Sequence, residues 1–357
     1  MKLLCPLSLS LTVACCSTPS HEPDFVPNPA DVLGTLGAVE SFDPAFAELV
    51  PTDARLEVIA EGFDWSEGPV WVDEDGGYLL FSDIPRNRVH RFKSGEGVSV
   101  FLSQSGYLDV LPRPNHIAPD EPGSNGLLLD PYGNLVLCQH GLRQVAQMNA
   151  PLSAPRAEYV PMARYWEGKR LNSPNDAVFH SNGDLYFTDP PYGLTRKMQD
   201  PEKEIDFQGV YRRTPRGTVT LLTREMSRPN GIAFSPDEKT LYVANSDPKH
   251  AVWMAFPVLD DGTLGNGRVH FDATPMVGER PGLPDGLAVD ERGNLFATGP
   301  GGVLVLTPDG RHLGTLLTGR PTSNCTFGDD GRTLYITADG ELVRVRLHAR
   351  GQRAASY

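Results

Sequence analysis

The chain has 357 residues, of which 39% are hydrophobic and 22% charged, and a formal net charge of −13. Acidity without any Lys/Arg run excludes a nucleic-acid partner, because phosphate binding needs a concentrated basic face. Thirty-six Gly and 32 Pro, recurring at intervals, describe many tight turns in one long all-β domain rather than disorder.

The first element is a leader. Lys2 precedes a mostly apolar run, residues 3–16, and the polar Ser17-Thr18-Pro19-Ser20 follows. A run this short reads as a secretory signal, and no other segment reaches the roughly 18 unbroken apolar residues of a membrane span. Residues 1–15 are expected to direct export, to the periplasm or the medium. Ala14-Cys15 fits two readings, plain cleavage or a lipid anchor at Cys15. Residues 16–54 are expected as an N-terminal extension packed on the outside, 55–347 as the folded body and 348–357 as a tail. Cys5, Cys15 and Cys16 belong to the leader region. Cys138 and Cys325 fall in different repeats at different strand positions, which predicts two buried free thiols rather than a disulfide.

The body repeats itself. Six openings recur: Ser66-Glu67-Gly68, Ser124-Asn125-Gly126, Pro174-Asn175-Asp176, Pro229-Asn230-Gly231, Pro284-Asp285-Gly286 and Ser323-Asn324-Cys325, their polar residues spaced by 58, 50, 55, 55 and 39. After each opening come an apolar run, a turn rich in Gly, Asn or Asp, and a second apolar run such as Leu135-Val136-Leu137-Cys138 or Leu185-Tyr186-Phe187-Thr188. Third strands such as Val89-His90-Arg91-Phe92 follow. Periods of this length with four strands per unit predict a six-bladed β-propeller with four-stranded antiparallel blades. The ring must close, and Leu56-Glu57-Val58-Ile59-Ala60 is placed to complete the last blade beside Leu342-Val343-Arg344-Val345.

The innermost strand of a propeller blade lines the central channel, so equivalent positions converge on one ring. That ring is predicted to hold Glu67, Asn125, Asn175, Asn230, Asp285 and Asn324: six oxygen-bearing side chains, two anionic, none cationic. Two carboxylates in a confined channel repel unless protonated or neutralised. A dication relieves the conflict. All-oxygen ligation with amide carbonyls suits Ca²⁺, whereas Zn²⁺ would want His or Cys and Mg²⁺ a tighter octahedron.

These residues resemble the family that contains gluconolactonases, regucalcin and diisopropyl fluorophosphatase. The resemblance covers about residues 55–347. It is carried by Glu61-Gly62-Phe63-Asp64-Trp65-Ser66-Glu67-Gly68-Pro69-Val70-Trp71, by Phe81-Ser82-Asp83-Ile84-Pro85 and by Ser227-Arg228-Pro229-Asn230-Gly231. Cys138-Gln139-His140-Gly141-Leu142-Arg143 is most similar to secreted bacterial gluconolactonases. The resemblance implies one catalytic Ca²⁺, with Glu67, Asn175, Asn230 and Asp285 as metal ligands and Asp285 as the proton-transfer residue. Asn175 is a direct ligand in some members and a substrate contact in others. Regucalcin-type members carry an Arg where this chain has Ser173, and their substrate-side Glu has no counterpart near Tyr192, so a lactone is gripped differently here.

The implied activity is Ca²⁺-assisted opening of a small-molecule sugar lactone by water. Two other readings stand beside it: an organophosphate or aryl-ester hydrolase on the same metal, and a non-catalytic binding propeller. A carboxylate bound to Ca²⁺ is a weak base. His140 and Asp189, both after second strands, are alternatives for proton transfer and, with Asn125 and Asn175, candidate substrate contacts. Tyr192 is a candidate wall residue, and the Pro-rich stretch 103–123 a candidate rim. A serine nucleophile elbow and a His-Glu-x-x-His motif are both absent from the sequence.

Overall fold

The computed structural model describes residues 25–108, 115 and 117–352. The expected leader and the lipid site at Cys15 lie outside them, as do residues 109–114 and 116 of the expected rim. Among the described residues no helix is long and apolar enough to cross a membrane, and the helical pieces are short 3₁₀ turns such as Pro44–Glu48.

Six antiparallel sheets form the blades of the expected propeller. The first blade runs Ser66–Val72, Tyr78–Asp83, Arg88–Lys93, Gly97–Ser103 from the axis outward. The inner strands of the next four are Ser124–Leu129, Ala177–Phe179, Pro229–Phe234 and Leu287–Val289. The sixth blade takes Thr322–Gly328, Thr333–Ala338 and Glu341–Arg346 from one end of the chain and Leu56–Glu61 from the other, with Leu342 opposite Ala60 and Val343 opposite Val58. This pairing closes the ring.

The second strands Tyr78–Asp83, Leu135–Gln139, Leu185–Asp189, Leu295–Gly299 and Thr333–Ala338 are buried at every residue. Both faces meet a neighbouring blade, so these strands read as nearly continuous apolar runs rather than alternating ones. The core is correspondingly divided among the blade interfaces. One cluster joins Leu80 and Val89 to Leu127 and Leu137, another Tyr186 and Val210 to Ile232 and Val243, and a third, across the closure, Leu79 and Phe81 to Tyr335 and Leu342. Each fully buried Leu, Val or Phe in them contributes about 1.5–3 kcal/mol. Cys138 and Cys325 are buried free thiols, as expected.

The N-terminal extension does more than pack on the outside. Gly34–Leu36 pairs with Leu56–Glu61 as a fifth strand of the sixth blade, and Ala38–Ser41 pairs with His312–Leu317 as a fifth strand of the fifth. Both cover sheet edges that would otherwise present unpaired backbone groups. The buried Arg344 guanidinium anchors the segment, meeting Glu57 Oε2 at 2.9 Å and Asp31 Oδ2 at 3.3 Å and donating to the Asn28 carbonyl at 2.7 Å.

The repeated openings are packed shoulder to shoulder. Gly68, at φ +50°, lies against the Asn125 carbonyl, and Gly231 against that of Asp285; a Cβ at either position would run into the next blade's backbone. Hydroxyls at the ends of the second strands reach across the same seams. Ser82 donates to the Asn125 carbonyl at 2.8 Å, Thr188 to that of Asn230 at 2.8 Å and Thr298 to that of Ser323 at 2.9 Å. The glycine after the polar residue in four of the openings, Gly68, Gly126, Gly231 and Gly286, therefore lets the inner strands close on the axis.

Candidate active site

A cavity of about 520 Å³ opens at one end of the channel, and Glu67, Asn125, Asn175, Asn230 and Asp285 all line it. Five of the six predicted ring residues are thus brought together. The sixth, Asn324, is not at this cavity. It lines a second one, of about 910 Å³, at inner-strand positions beyond the ring, and donates its Nδ2 to Glu67 Oε2 at 3.2 Å. Its Oδ1 accepts from the Cys325 amide at 2.8 Å, so both ends of this amide are engaged within the protein.

The electrostatics are those of a site holding excess negative charge. Glu67 is 2% exposed; burial pushes its carboxyl up to about 8, against the Gly68 amide that donates to Oε2 at 2.6 Å. Burial, then the Glu67 charge, holds Asp285 well above the usual carboxylate range. Asp176 adds a further carboxylate, pushed by burial up to about 7. It lines the second cavity and accepts from the Ala177 and Ile232 amides at 2.9 and 3.3 Å.

The donor set fits a hard cation. Asn125 Oδ1, Asn175 Oδ1 and Asp285 Oδ1 are buried and have no hydrogen-bond partner. A buried acceptor left unpaired costs about 1–3 kcal/mol, and a cation satisfies such oxygens together with the charge. Asn230 is fixed by donating Nδ2 to Ser246 Oγ at 2.9 Å. Among the described residues no group of three or more His, Cys, Asp or Glu side chains is placed to hold a metal. An ion here would take amide oxygens beside its carboxylates, a mixture that suits Ca²⁺ rather than Zn²⁺.

Two of the candidate substrate contacts, His140 and Asp189, do not line the cavity. His140 is fully buried, with Nδ1 2.9 Å from Glu121 Oε2, and it is Glu121 that faces the cavity. Asp189 is also fully buried. Its Oδ2 accepts from the Asn172 amide at 2.8 Å, its Oδ1 is unpartnered, and burial pushes it up to about 7. It braces the turn that leads into Asn175.

Tyr192 is a wall residue, as the sequence suggested. Trp65, Glu121, Arg228, Ser246 and Arg280 are wall residues that inspection of the ring did not find. Glu121 had a signal, since it falls in the stretch 103–123 expected at the rim. Arg228 also had one, two residues before Asn230 in a motif already singled out. Arg280 had none: it comes from a loop and is held by both oxygens of Glu40 in the extension, at 2.8 and 3.3 Å.

A family model described as SMP-30/Gluconolactonase/LRE-like region matches residues 65–340. The gluconolactonase of Zymomonas mobilis is 41% identical over 323 residues, which are 89% of this chain and 88% of that protein. The solved structure of a gluconolactonase from Xanthomonas campestris is 30% identical with a TM-score of 0.72, over 88% of this chain and 99% of that one. Regucalcin from Agrobacterium tumefaciens, 20% identical, shares the fold at a TM-score of 0.62 over 83% of this chain and 94% of its own.

Proposed function

The chain belongs to the SMP-30/gluconolactonase/LRE-like family and is a lactone hydrolase; from that premise we propose that it opens sugar lactones of the gluconolactone type with one Ca²⁺ held by Glu67, Asn175, Asn230 and Asp285. The observation that carries the metal is the set of unpartnered buried oxygens on Asn125, Asn175 and Asp285 beside carboxylates that burial alone would neutralise. When bound, Ca²⁺ supplies a Lewis acid for the lactone carbonyl and for the negative charge that grows on its oxygen.

The chain's own residues do the rest. Glu67 and Asp285 provide the two negative charges that match a dication, and the amide of Asn230, fixed by Ser246, contributes a preset ligand. Asn125 and Asn175 also offer their amides to substrate hydroxyls. Asp285 orients the attacking water, while Tyr192 and Trp65 wall the lactone and limit bulk water. We also read residues 1–15 as placing this reaction outside the cytoplasm.

The test is hydrolysis of glucono-1,5-lactone, followed by proton release, with Ca²⁺, with chelator and with Asp285→Ala. Loss of activity in both perturbations, restored by Ca²⁺ only in the wild type, is the expected result. Full activity in chelator would overturn the metal assignment.

A further inference from the structure

The Cys138-Gln139-His140-Gly141-Leu142-Arg143 motif has no residue in the cavity lining, yet it organises one wall. Gln139 Nε2 donates to the Ser105 carbonyl at 2.7 Å, the His140 amide to Gly123 at 3.1 Å and the Leu142 amide to Gly106 at 2.8 Å. On its far side the same wall is fastened to the loop that carries Tyr192. The Ala118 amide donates to the Gly193 carbonyl at 2.9 Å, Ile117 bridges Leu194, and Gly193 sits so close to His140 and Ser173 that a Cβ there would meet both side chains. Glu121 is delivered to the cavity by this framework.

Glu121 stands apart from the proposed ligands in its bonding. Its Oε2 is committed to His140 Nδ1 at 2.9 Å, and its side chain remains 23% exposed towards the cavity. His140 is wholly buried, and its Nε2 has no partner. An imidazole placed this way is positioned to orient the carboxylate in front of it. Glu67, Asp285 and Tyr192 are the titratable groups that sense the Glu121 charge, and Arg228 lines the same cavity.

We propose that Glu121, held by His140, is the proton acceptor for water in lactone opening. The inference rests on the lactonase reading above. It removes the difficulty of asking a metal-bound carboxylate to act as a base, because Glu121 lies outside the ligand set and keeps a lone pair for the proton. Water gives one proton to Glu121 as its oxygen bonds to the carbonyl carbon. The ring C–O bond then breaks, and the proton passes from Glu121 to the departing ring oxygen, which leaves as a hydroxyl. The product is a hydroxy acid, which releases its own proton to solvent, and Glu121 ends ionised as it began. Glu121 is the catalytic residue in this scheme and His140 a positioning residue.

The experiment compares wild type, Glu121→Gln, Glu121→Asp and His140→Asn on glucono-1,5-lactone in saturating Ca²⁺, with Ca²⁺ affinity measured separately by calorimetry. Gln keeps the size of Glu and the acceptor facing His140 but takes no proton. Glu121→Gln is expected to lower kcat by about 100-fold or more, the usual scale of a lost general base, with KM and Ca²⁺ affinity within about threefold of wild type. Glu121→Asp is expected to recover part of kcat. His140→Asn is expected to lower kcat by about tenfold and to move the acid limb of its pH profile, which a purely structural loss would not do. Retention of kcat in Glu121→Gln overturns the inference, and so does loss of Ca²⁺ binding, which would make Glu121 a ligand. Failure of the wild type itself to open any lactone in a panel would instead remove the lactonase reading, and the inference with it.

Discussion

Asn324 Nδ2 meets Glu67 Oε2 at 3.2 Å, joining a residue of the last blade to one of the first across the point where the ring closes. Glu67 faces the candidate metal cavity and Asn324 the cavity beyond it, so this bond marks the boundary between the two along the axis. The seam where the propeller is closed is therefore also the place where a proposed ligand is held.

Replacing Asn324 by Leu keeps the volume and removes both the donor to Glu67 and the acceptor of the Cys325 amide. Glu67 would retain the Gly68 amide alone. A hydrogen bond to a charged group contributes about 1.5–3 kcal/mol. Chemical denaturation of the Ca²⁺-loaded protein is expected to show a loss of that size. An unchanged midpoint would mean that the bond does not hold the ionised carboxylate.

Asp285→Asn leaves a near-isosteric amide but lowers the charge of the donor set from two anions to one. Affinity in oxygen sites follows ligand charge, and removing one partner of a buried charge pair costs about 3–5 kcal/mol. Isothermal titration is expected to show Ca²⁺ binding weakened by at least about 100-fold. Binding within a few-fold of wild type would place the ion elsewhere.

The metal-free protein is expected to lose stability as pH rises from about 4 to about 8. Glu67, Asp176 and Asp189 are raised by burial to about 8, 7 and 7 from ordinary values of 4.5, 3.8 and 3.8. Between each pair of values the folded state holds a proton that the unfolded chain has released, so unfolding becomes easier as pH increases, by up to about 1.4 kcal/mol per pH unit for each such group. The stabilisation is complete below the unfolded values and is lost towards the folded ones. In the proposed site Ca²⁺ would compete with protons for Glu67 and Asp285, and its addition is expected to reverse the trend. Urea denaturation at pH 5 and pH 8, with chelator and with Ca²⁺, checks both signs.

Asp189→Asn isolates a buried carboxylate that lies off the cavity. It retains an acceptor for the Asn172 amide. The variant is expected to keep KM and kcat within about threefold and to flatten the metal-free stability profile between about pH 4 and 7. A large rise in KM would restore Asp189 to the substrate contacts.

Much of this molecule was legible before any coordinates. A polar residue at the head of each unit, recurring with a hairpin and a buried second strand, is a periodic signal, and periodicity survives without knowledge of contacts. It located Glu67, Asn125, Asn175, Asn230 and Asp285 because equivalent positions in a closed ring must converge. The same argument misplaced Asn324, whose side chain is turned to Glu67 Oε2 and to the Cys325 amide, bonds that a spacing count does not reveal. His140 was visible as part of a motif, but its place behind Glu121 was not, because the bond joins residues 19 apart through a loop without periodicity.

The amino-acid order by itself determined the number of blades, the strand that closes the ring and the oxygen character of the axis, since these follow from local pattern repeated around a symmetric frame. Only the tertiary structure decided which carboxylates crowd one another, which amide oxygens are left without partners and which loop residues, Glu121, Arg228 and Arg280 among them, wall the cavity. Those properties depend on burial and on distances between residues far apart in the chain, and no local pattern encodes either.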